Sequence, residues 1–203
     1  MLSADMLAQL RVLLDEAAEQ FWLDTECYAA LSDGQREYAS TILSQYKAKV
    51  LINPSESIPE VLRPLYKPVS STTSASYIVL PSDFLYDVSL YLGGTYSRPL
   101  LKRELSRTIP AEQANSLLGA SGYYYSITNS QINLEIPTPS NLSYIFNYLQ
   151  KPVDINQDVN PTLPDFTHYT IVIYAFAELL KKSSRLPEAL QQYQIFLQQI
   201  KYL

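Results

Sequence analysis

Residues 123–136, YYYSITNSQINLEI, decide the middle of the fold because they contain two strand-like runs around a tight turn. Apolar and polar residues alternate through 123–128 and again through 131–136, which is the period of a half-buried strand. Asn129-Ser130 between them suits a two-residue turn, since asparagine tolerates the positive φ that such a turn requires. The sequence therefore predicts an antiparallel hairpin.

Further strand-like runs lie on both sides of this hairpin. Their β-branched and aromatic composition predicts strands over 77–80, 88–92, 99–105 and 142–150. Gly93-Gly94 lies between two strand-like runs and indicates a turn. It is not a phosphate-binding loop, because neither a GK[ST] ending nor the third glycine of a dinucleotide-binding loop follows it. A short helix is expected over 110–118, starting at a proline.

Two helices are predicted before the strands. Residues 2–18 carry one apolar face, with steps of four, three and four along Met6, Leu10, Leu13 and Ala17. A second helix is predicted to begin at Asp24 or Thr25, either of which can cap it, with Gly34 as a weak point. Its apolar stripe consists of Leu31, Tyr38, Ile42, Tyr46 and Val50.

Two more helices are predicted at the carboxyl end. One covers 165–182, and Ser183, Ser184 and Pro187 separate it from a last helix that runs to Leu203. The last helix shows a packing seam for a partner helix, formed by Leu186, Leu190, Tyr193, Leu197 and Ile200. The helix before it contains IVIYAFA at 171–177, which is apolar all round and needs cover on more than one side. A second subunit and the β strands are equally good sources of that cover.

These patterns predict an α+β fold in which a helical bundle from both termini contains an inserted antiparallel β module. The expected helical module covers 1–52 and 163–203, and the expected β insert covers 77–150. Two connectors are expected between them: 53–76, with prolines at 54, 59, 64 and 68, and 151–162.

Composition excludes several classes of protein. The chain has 203 residues, 47% hydrophobic and only 17% charged, which is typical of a folded domain. Its net charge of −5 argues against a protein that wraps nucleic acid, and eight of its acids lie in residues 1–50. The opening residues do not resemble a secretory signal, and 171–177 is too short to span a membrane.

Residues capable of chemistry are few and isolated. Cys27 is the only cysteine and His168 the only histidine, and no motif pairs them, so we interpret Cys27 as a buried small hydrophobe and His168 as a helix-start residue bonded to backbone. Asp83 and Asp87 lack a third metal ligand at a supporting spacing. The sequence therefore predicts no catalytic residue, no metal and no cofactor.

Tyrosine is the strongest compositional signal, with seventeen against six phenylalanines. Tyrosine combines large contact area with a polar end and is common at protein interfaces. The candidate interface residues are Ile171, Ile173, Tyr174, Phe176, Tyr123, Tyr124, Tyr125 and Trp22. Burial in the core of a single subunit is at least as good an explanation for each of them.

The order of elements resembles the head-to-tail adaptor proteins of tailed bacteriophages, also called connector or head-completion proteins. The resemblance covers nearly the whole chain. It is carried by the strand, Asn turn, strand and Pro-x-Pro run at 123–139 and by the LP, His and apolar helix at 163–180.

The resemblance implies a non-enzymatic structural protein of the virion neck, made in the host cytoplasm. Its implied partners are the portal protein, tail or nozzle proteins and about twelve copies of itself in a ring that continues the DNA channel. An acidic wall would let DNA slide, which makes Glu16 and Glu19 candidate channel residues. A carbohydrate-binding module and a general protein-interaction module, such as a small helical adaptor in a cellular complex, stay open as alternatives.

Overall fold

Helices occupy both ends of the chain and two small sheets occupy its middle, which confirms the predicted α+β class. The computed structural model describes residues 1–16, 21–53, 55–73, 77–93, 100–102, 124–128, 130–135 and 141–201. Residue contacts divide the chain into two units. One is a helical unit made of Met1–Leu65 and Lys151–Leu203, and the other is a sheet unit made of Tyr66–Gln150.

Four α-helices and two short 3₁₀ segments are found in the described part of the helical unit. The helices are α1 (Ser3–Leu13), α2 (Asp24–Ile52), α3 (His168–Lys182) and α4 (Leu186–Lys201). The 3₁₀ segments are Glu60–Leu65 and Asp165–Thr167. The four helices predicted at the two ends of the chain are therefore present, and the first turn of the helix predicted over 165–182 is 3₁₀.

Helix α1 ends five residues earlier than predicted, because the backbone turns left-handed at Asp15, where φ is 59°. The N–H of Asp15 donates to the carbonyl of Val12 at 3.2 Å, and the N–H of Glu16 donates to that of Arg11 at 2.9 Å. These two bonds satisfy the last carbonyls of the helix in the manner of a Schellman motif. Ala17, predicted on the same stripe, lies outside the described residues.

Helix α2 begins where predicted, but with a different cap. The N-cap residue is Leu23, whose N–H donates to the Glu26 carboxylate at 3.0 Å, so neither Asp24 nor Thr25 is the cap. Gly34 is not a weak point, since it lies buried where α2 meets α3. The predicted stripe is otherwise confirmed by burial of Leu31, Tyr38, Ile42 and Tyr46.

In the described part of the sheet unit, seven strands form two sheets. They are β1 (Tyr66–Thr72), β2 (Tyr77–Val79), β3 (Phe84–Leu92), β4 (Leu101–Lys102), β5 (Tyr124–Thr128), β6 (Gln131–Glu135) and β7 (Ser143–Gln150). The first sheet has the order β1-β7-β3 and the second the order β2-β6-β5-β4. All pairs are antiparallel except β4 with β5, which are parallel.

The predicted hairpin is confirmed as β5 and β6, with Ile127 opposite Ile132. The strands predicted over 77–80, 88–92, 99–105 and 142–150 are found as β2, β3, β4 and β7, although residue 99 and residues 103–105 lie outside the described part of the chain. Gly93 is in a turn, as predicted, and a Cβ there would collide with the Ser143 side chain. The predicted helix over 110–118 lies outside the described residues.

The segment expected to be a connector, 53–76, contains the 3₁₀ segment and strand β1 instead. Strand β1 pairs along its whole length with β7, with Val69 opposite Phe146. Its sequence, YKPVSST, is polar and contains Pro68, which an edge strand tolerates because one side of its backbone needs no partner. Alternation of apolar residues does not predict this strand, because the segment is mostly polar.

The core of the sheet unit is aromatic and aliphatic. Phe84, Phe146 and Tyr148 form a triangular cluster of rings, with centroids 6.0, 5.3 and 6.1 Å apart. Among the described residues, the buried members of this core are Ile78, Leu90, Leu92, Leu100, Tyr125, Ile132, Leu134, Phe146 and Tyr148.

Candidate interaction surfaces

Helix α3 is covered by the chain's own helices. It contacts α1, α2 and α4, and Ile171 and Ile173 are only 0% and 4% exposed. Two of the candidate interface residues therefore belong to the core of the helical unit. The expectation that a second subunit or the β strands must supply the missing cover is corrected, because three helices pack around this one.

Tyr174 and Phe176 lie on the part of α3 that remains partly exposed. The ring of Tyr174 packs edge-on against Phe196 at 5.0 Å and against Tyr193 at 6.0 Å, both on α4. Burial, with the nearby charges of Glu178 and Glu37, raises the pKa of Tyr174 to about 12. The phenol is therefore neutral and lies in an acidic environment.

A groove of about 450 Å³ lies beside Tyr174, between α3 and α4. Its apolar surface includes Leu186 and Leu190, which are 55% and 63% exposed. Both leucines belong to the predicted seam of the last helix, yet the residues of α4 that are buried are Ala189, Phe196 and Ile200. The groove residues are Glu37, Tyr174, Ala177, Glu178, Lys181, Leu186, Ala189, Leu190 and Tyr193.

The difference between the predicted seam and the buried face comes from how α4 docks. Positions 189, 193, 196 and 200 form a second stripe with helical spacing. It shares positions 193 and 200 with the predicted seam, but it contains 189 and 196 where the seam contains 190 and 197. This rotation leaves Leu186 and Leu190 at the groove instead of in the core. Sequence periodicity supports both stripes, and only packing against α3 selects one.

Trp22 is only 8% exposed, so the exposed aromatic residue at the turn between α1 and α2 is its neighbour Phe21, at 70%. The two rings touch edge-on at 5.0 Å. Below them the Arg11 guanidinium donates to the Trp22 carbonyl at 3.1 Å and to the Asp24 carboxylate. Trp22 is therefore part of the core of the helical unit, and Phe21 is the aromatic residue of this turn whose side chain a partner can contact.

Glu16 has a structural role that the sequence did not suggest. Its carboxylate pairs with Arg11 at 3.2 Å and accepts the backbone N–H groups of Phe21 and Trp22, and its side chain is 11% exposed. A paired, nearly buried charge exerts little repulsion on DNA. Glu16 therefore stabilises the turn between α1 and α2, its place at a channel wall stays a prediction, and Glu19 lies outside the described residues.

The neighbouring tyrosines of the hairpin, Tyr124 and Tyr125, differ in their burial. Tyr124 is half-buried, whereas Tyr125 is 3% exposed and donates its hydroxyl to Asp87 at 2.8 Å. Burial, followed by the charge of Asp87, raises the pKa of Tyr125. Lys102 reaches the same carboxylate at 2.6 Å. Tyr125 is thus a core residue, and Tyr123 lies outside the described residues.

Asp83 and Asp87 each hold a separate polar contact instead of sharing a metal. Asp83 accepts a hydrogen bond from Lys67 at 2.9 Å and one from the Tyr148 hydroxyl at 2.9 Å. The bond from Lys67 is the main reason that the pKa of Asp83 is lowered. In the ranges that the structure covers, no three His, Cys, Asp or Glu side chains form a metal-binding group.

Cys27 is buried as predicted, and His168 begins α3 and bonds a backbone carbonyl as predicted. Cys27 is 0% exposed, and desolvation raises the pKa of its thiol to about 11. His168 is 2% exposed, and its Nε2 lies 2.8 Å from the carbonyl oxygen of Leu163. Burial is the main cause of the lowered pKa of this imidazole. Both side chains therefore contribute to packing.

The connector after β7 is fastened to α2 by side chains that sequence reasoning missed. Gln35 donates to the carbonyl of Val153 at 2.8 Å and accepts the N–H of Thr162 at 2.7 Å. Ser32 accepts the N–H of Ile155 at 2.9 Å. Polar residues on the buried side of a long helix were the available signal, because such groups need a specific partner.

Comparison with known proteins decides the family. The family described as SU10 adaptor protein matches the chain over residues 1–203. The chain belongs to this family. The resemblance to phage head-to-tail adaptors inferred from the order of elements is thereby confirmed.

As a member of the SU10 adaptor family, this protein is a bacteriophage adaptor and a component of the virion. The family consists of structural phage proteins and is not a known enzyme family. No curated protein matches the chain. Among the helices described, none is long and apolar enough to cross a membrane.

Proposed function

We propose that this chain forms a ring of about twelve copies that binds the portal, joins the head to the tail and continues the DNA channel. The observation that carries the proposal is the match to the SU10 adaptor family over the entire length, 1–203. A match of that extent leaves no part of the chain that would need a different function to explain it.

Surface features of the helical unit support an assembly role. Some of its exposed large apolar side chains lie at three separate places: the turn around Phe21, the end of α2 and the groove between α3 and α4. Exposed apolar patches of this kind mark sites of protein association. A subunit inside a ring needs several such patches, because it contacts two neighbours as well as the proteins above and below.

The mechanism proposed is templated assembly. A portal ring that binds several copies holds them side by side, which raises their effective concentration and lets weak contacts between neighbours close a ring. Free subunits then stay monomeric in the cytoplasm and assemble only at the neck. Repulsion of DNA by the channel is proposed for the ring as a whole, with Glu19 as a candidate and Glu16 engaged by Arg11.

The test uses particles of the phage that encodes this chain. We expect electron cryo-microscopy of purified virions to show a ring of this protein between portal and tail, and we expect a strain without the gene to produce filled heads that lack tails. Absence of the chain from purified particles would overturn the proposal. Normal, infective particles from the deletion strain would do the same.

A further inference from the structure

The carboxyl end of α2 is an exposed apolar tip. Leu51 and Ile52 are 80% and 88% exposed, the highest values among the large hydrophobic side chains of the described residues. Lys47 and Lys49 are exposed on the same final turns, and the last fully buried residue of the helix is Tyr46. The tip of α2, defined as Lys49, Leu51 and Ile52, therefore combines aliphatic surface with positive charge.

The groove between α3 and α4 has the opposite character. Two carboxylates, Glu37 and Glu178, and one ammonium group, Lys181, surround its apolar floor. Lys181 lies 3.5 Å from Glu178, so the pair leaves Glu37 as the net charge of the rim. The floor, formed by Leu186 and Leu190, suits aliphatic side chains because it consists of exposed leucines.

A single copy cannot bring its own tip and groove together. Glu37 on the rim and Ile52 at the tip both belong to α2, fifteen positions apart, which corresponds to about 22 Å along the helix axis. Because one rigid helix carries both features, the distance between them is fixed within a subunit. Any contact between a tip and a groove therefore joins two molecules.

We propose that the tip of α2 in one copy of this chain occupies the α3–α4 groove of a second copy. Leu51 and Ile52 pack on Leu186 and Leu190, while Lys49 approaches the acidic rim. The contact is head-to-tail, so any open row of copies retains one free tip at one end and one free groove at the other, and the series of contacts ends only when a ring closes. The inference rests on the proposed ring and assigns the surfaces that join its neighbours.

The contact is weak by itself. Two aliphatic side chains and one charge bury far less than the roughly 800 Å² per partner of a stable interface. Isolated pairs therefore form and separate quickly, which agrees with assembly on a template. A covalent trap that captures short-lived pairs is the suitable probe.

The trap is a disulfide between two different variants, Ile52→Cys and Leu190→Cys, both in a Cys27→Ala background. We expect an oxidised equimolar mixture to give a dimer of twice the 23.0 kDa chain on non-reducing electrophoresis, while each variant alone gives none. The matched control is Val12→Cys, whose side chain is 79% exposed elsewhere in the helical unit, mixed with Leu190→Cys. Circular dichroism confirms that the variants are folded.

Three results overturn the inference. The first is an equal dimer yield from the Val12 control, which indicates random collision. The second is a dimer from Leu190→Cys alone, which indicates a symmetric contact between grooves. The third is no dimer from the mixture either in concentrated solution or on assembled particles.

Charge reversal gives an independent measurement. Lys49→Glu in the Ile52→Cys chain, or Glu37→Lys in the Leu190→Cys chain, should lower the dimer yield about threefold, and combining both should restore it. An unchanged yield in all combinations contradicts the charge pairing. If particles contain a ring of this chain but the cross-link does not form in them, the inferred contact is wrong and the proposed function stands. If the cross-link forms in solution but the chain is absent from particles, only the proposed function is wrong.

Discussion

The position that a Cβ atom would take on Gly34 of α2 lies 2.9 Å from the carbonyl oxygen of Ile171 on α3. Only a residue without a side chain fits at this point, since real Cβ atoms do not approach a backbone oxygen so closely. The two helices therefore pack backbone to backbone, and this contact helps to bury the apolar face of α3.

Gly34→Ala should destabilise the helical unit. The gain in helix propensity is about 1 kcal/mol, but separating two packed backbones costs more, so we expect a net loss of about 1 to 2 kcal/mol in the free energy of unfolding. Urea unfolding followed by far-UV circular dichroism measures it. Ser40→Ala, at an exposed position of the same helix, is the control and should be neutral or stabilising. Equal stability gains in both variants would contradict the close packing.

Tyr38→Phe should stabilise the protein. The Tyr38 side chain is 0% exposed, and its hydroxyl has no hydrogen-bond partner among the described residues, while burial raises its pKa to about 12. Removing an unsatisfied buried hydroxyl should raise the free energy of unfolding by about 1 kcal/mol. Tyr148→Phe is the matched control, because that hydroxyl bonds Asp83 at 2.9 Å and its loss should destabilise. A loss of stability in Tyr38→Phe, like that expected of the control, would show that the Tyr38 hydroxyl has a partner.

Arg11→Lys should not replace the arginine. The guanidinium donates from Nη1 to Glu16, from Nη2 to the carbonyl of Trp22, and from Nε and Nη2 to Asp24, and a lysine ammonium cannot reach all three acceptors. We expect a loss of about 1 to 2 kcal/mol in thermal unfolding experiments, together with a change in Trp22 fluorescence. Full retention of stability and fluorescence would mean that the corner does not depend on this network.

Asp83 should make stability depend on pH. The hydrogen bond from Lys67 lowers the pKa of Asp83 in the folded state below its ordinary value of 3.8. A carboxylate with a lowered folded pKa stabilises the protein above its unfolded pKa, and this contribution is lost as pH falls through the folded value. The difference in unfolding free energy between the parent and Asp83→Asn should therefore be present near neutral pH and shrink below 3.8. Urea titrations at several pH values measure it.

Lys67→Met is the control for that experiment, because it removes the partner and leaves the carboxyl group. In this background the Asp83→Asn difference should lose most of its dependence on pH. A pH dependence that survives the loss of Lys67 would assign the effect to another group. Exposure of the pair, 46% for Lys67 and 34% for Asp83, keeps the effect small and sensitive to salt.

Several outcomes separate what neighbouring residues can specify from what they cannot. The β5–β6 hairpin was predictable because alternation on both sides of an asparagine turn is a local property. Strand β1 was not, because its polar sequence becomes a strand only through pairing with β7, where Val69 meets Phe146 more than seventy residues away. The exposure of Leu186 and Leu190 at the groove could not be predicted for a similar reason. Two stripes of α4 have helical spacing, and packing against α3 buries only one of them.

By itself, the sequence determined the α+β class, the places of all four described helices, the hairpin and the likeness to phage adaptors, since these depend on short-range periodicity, turn chemistry and the order of elements. Tertiary structure alone decided that Ile171, Ile173 and Tyr125 lie in cores and that Glu16 is held by Arg11. It also decided which leucines remain exposed. Burial and charge pairing are set by residues distant in sequence, and no local pattern records them.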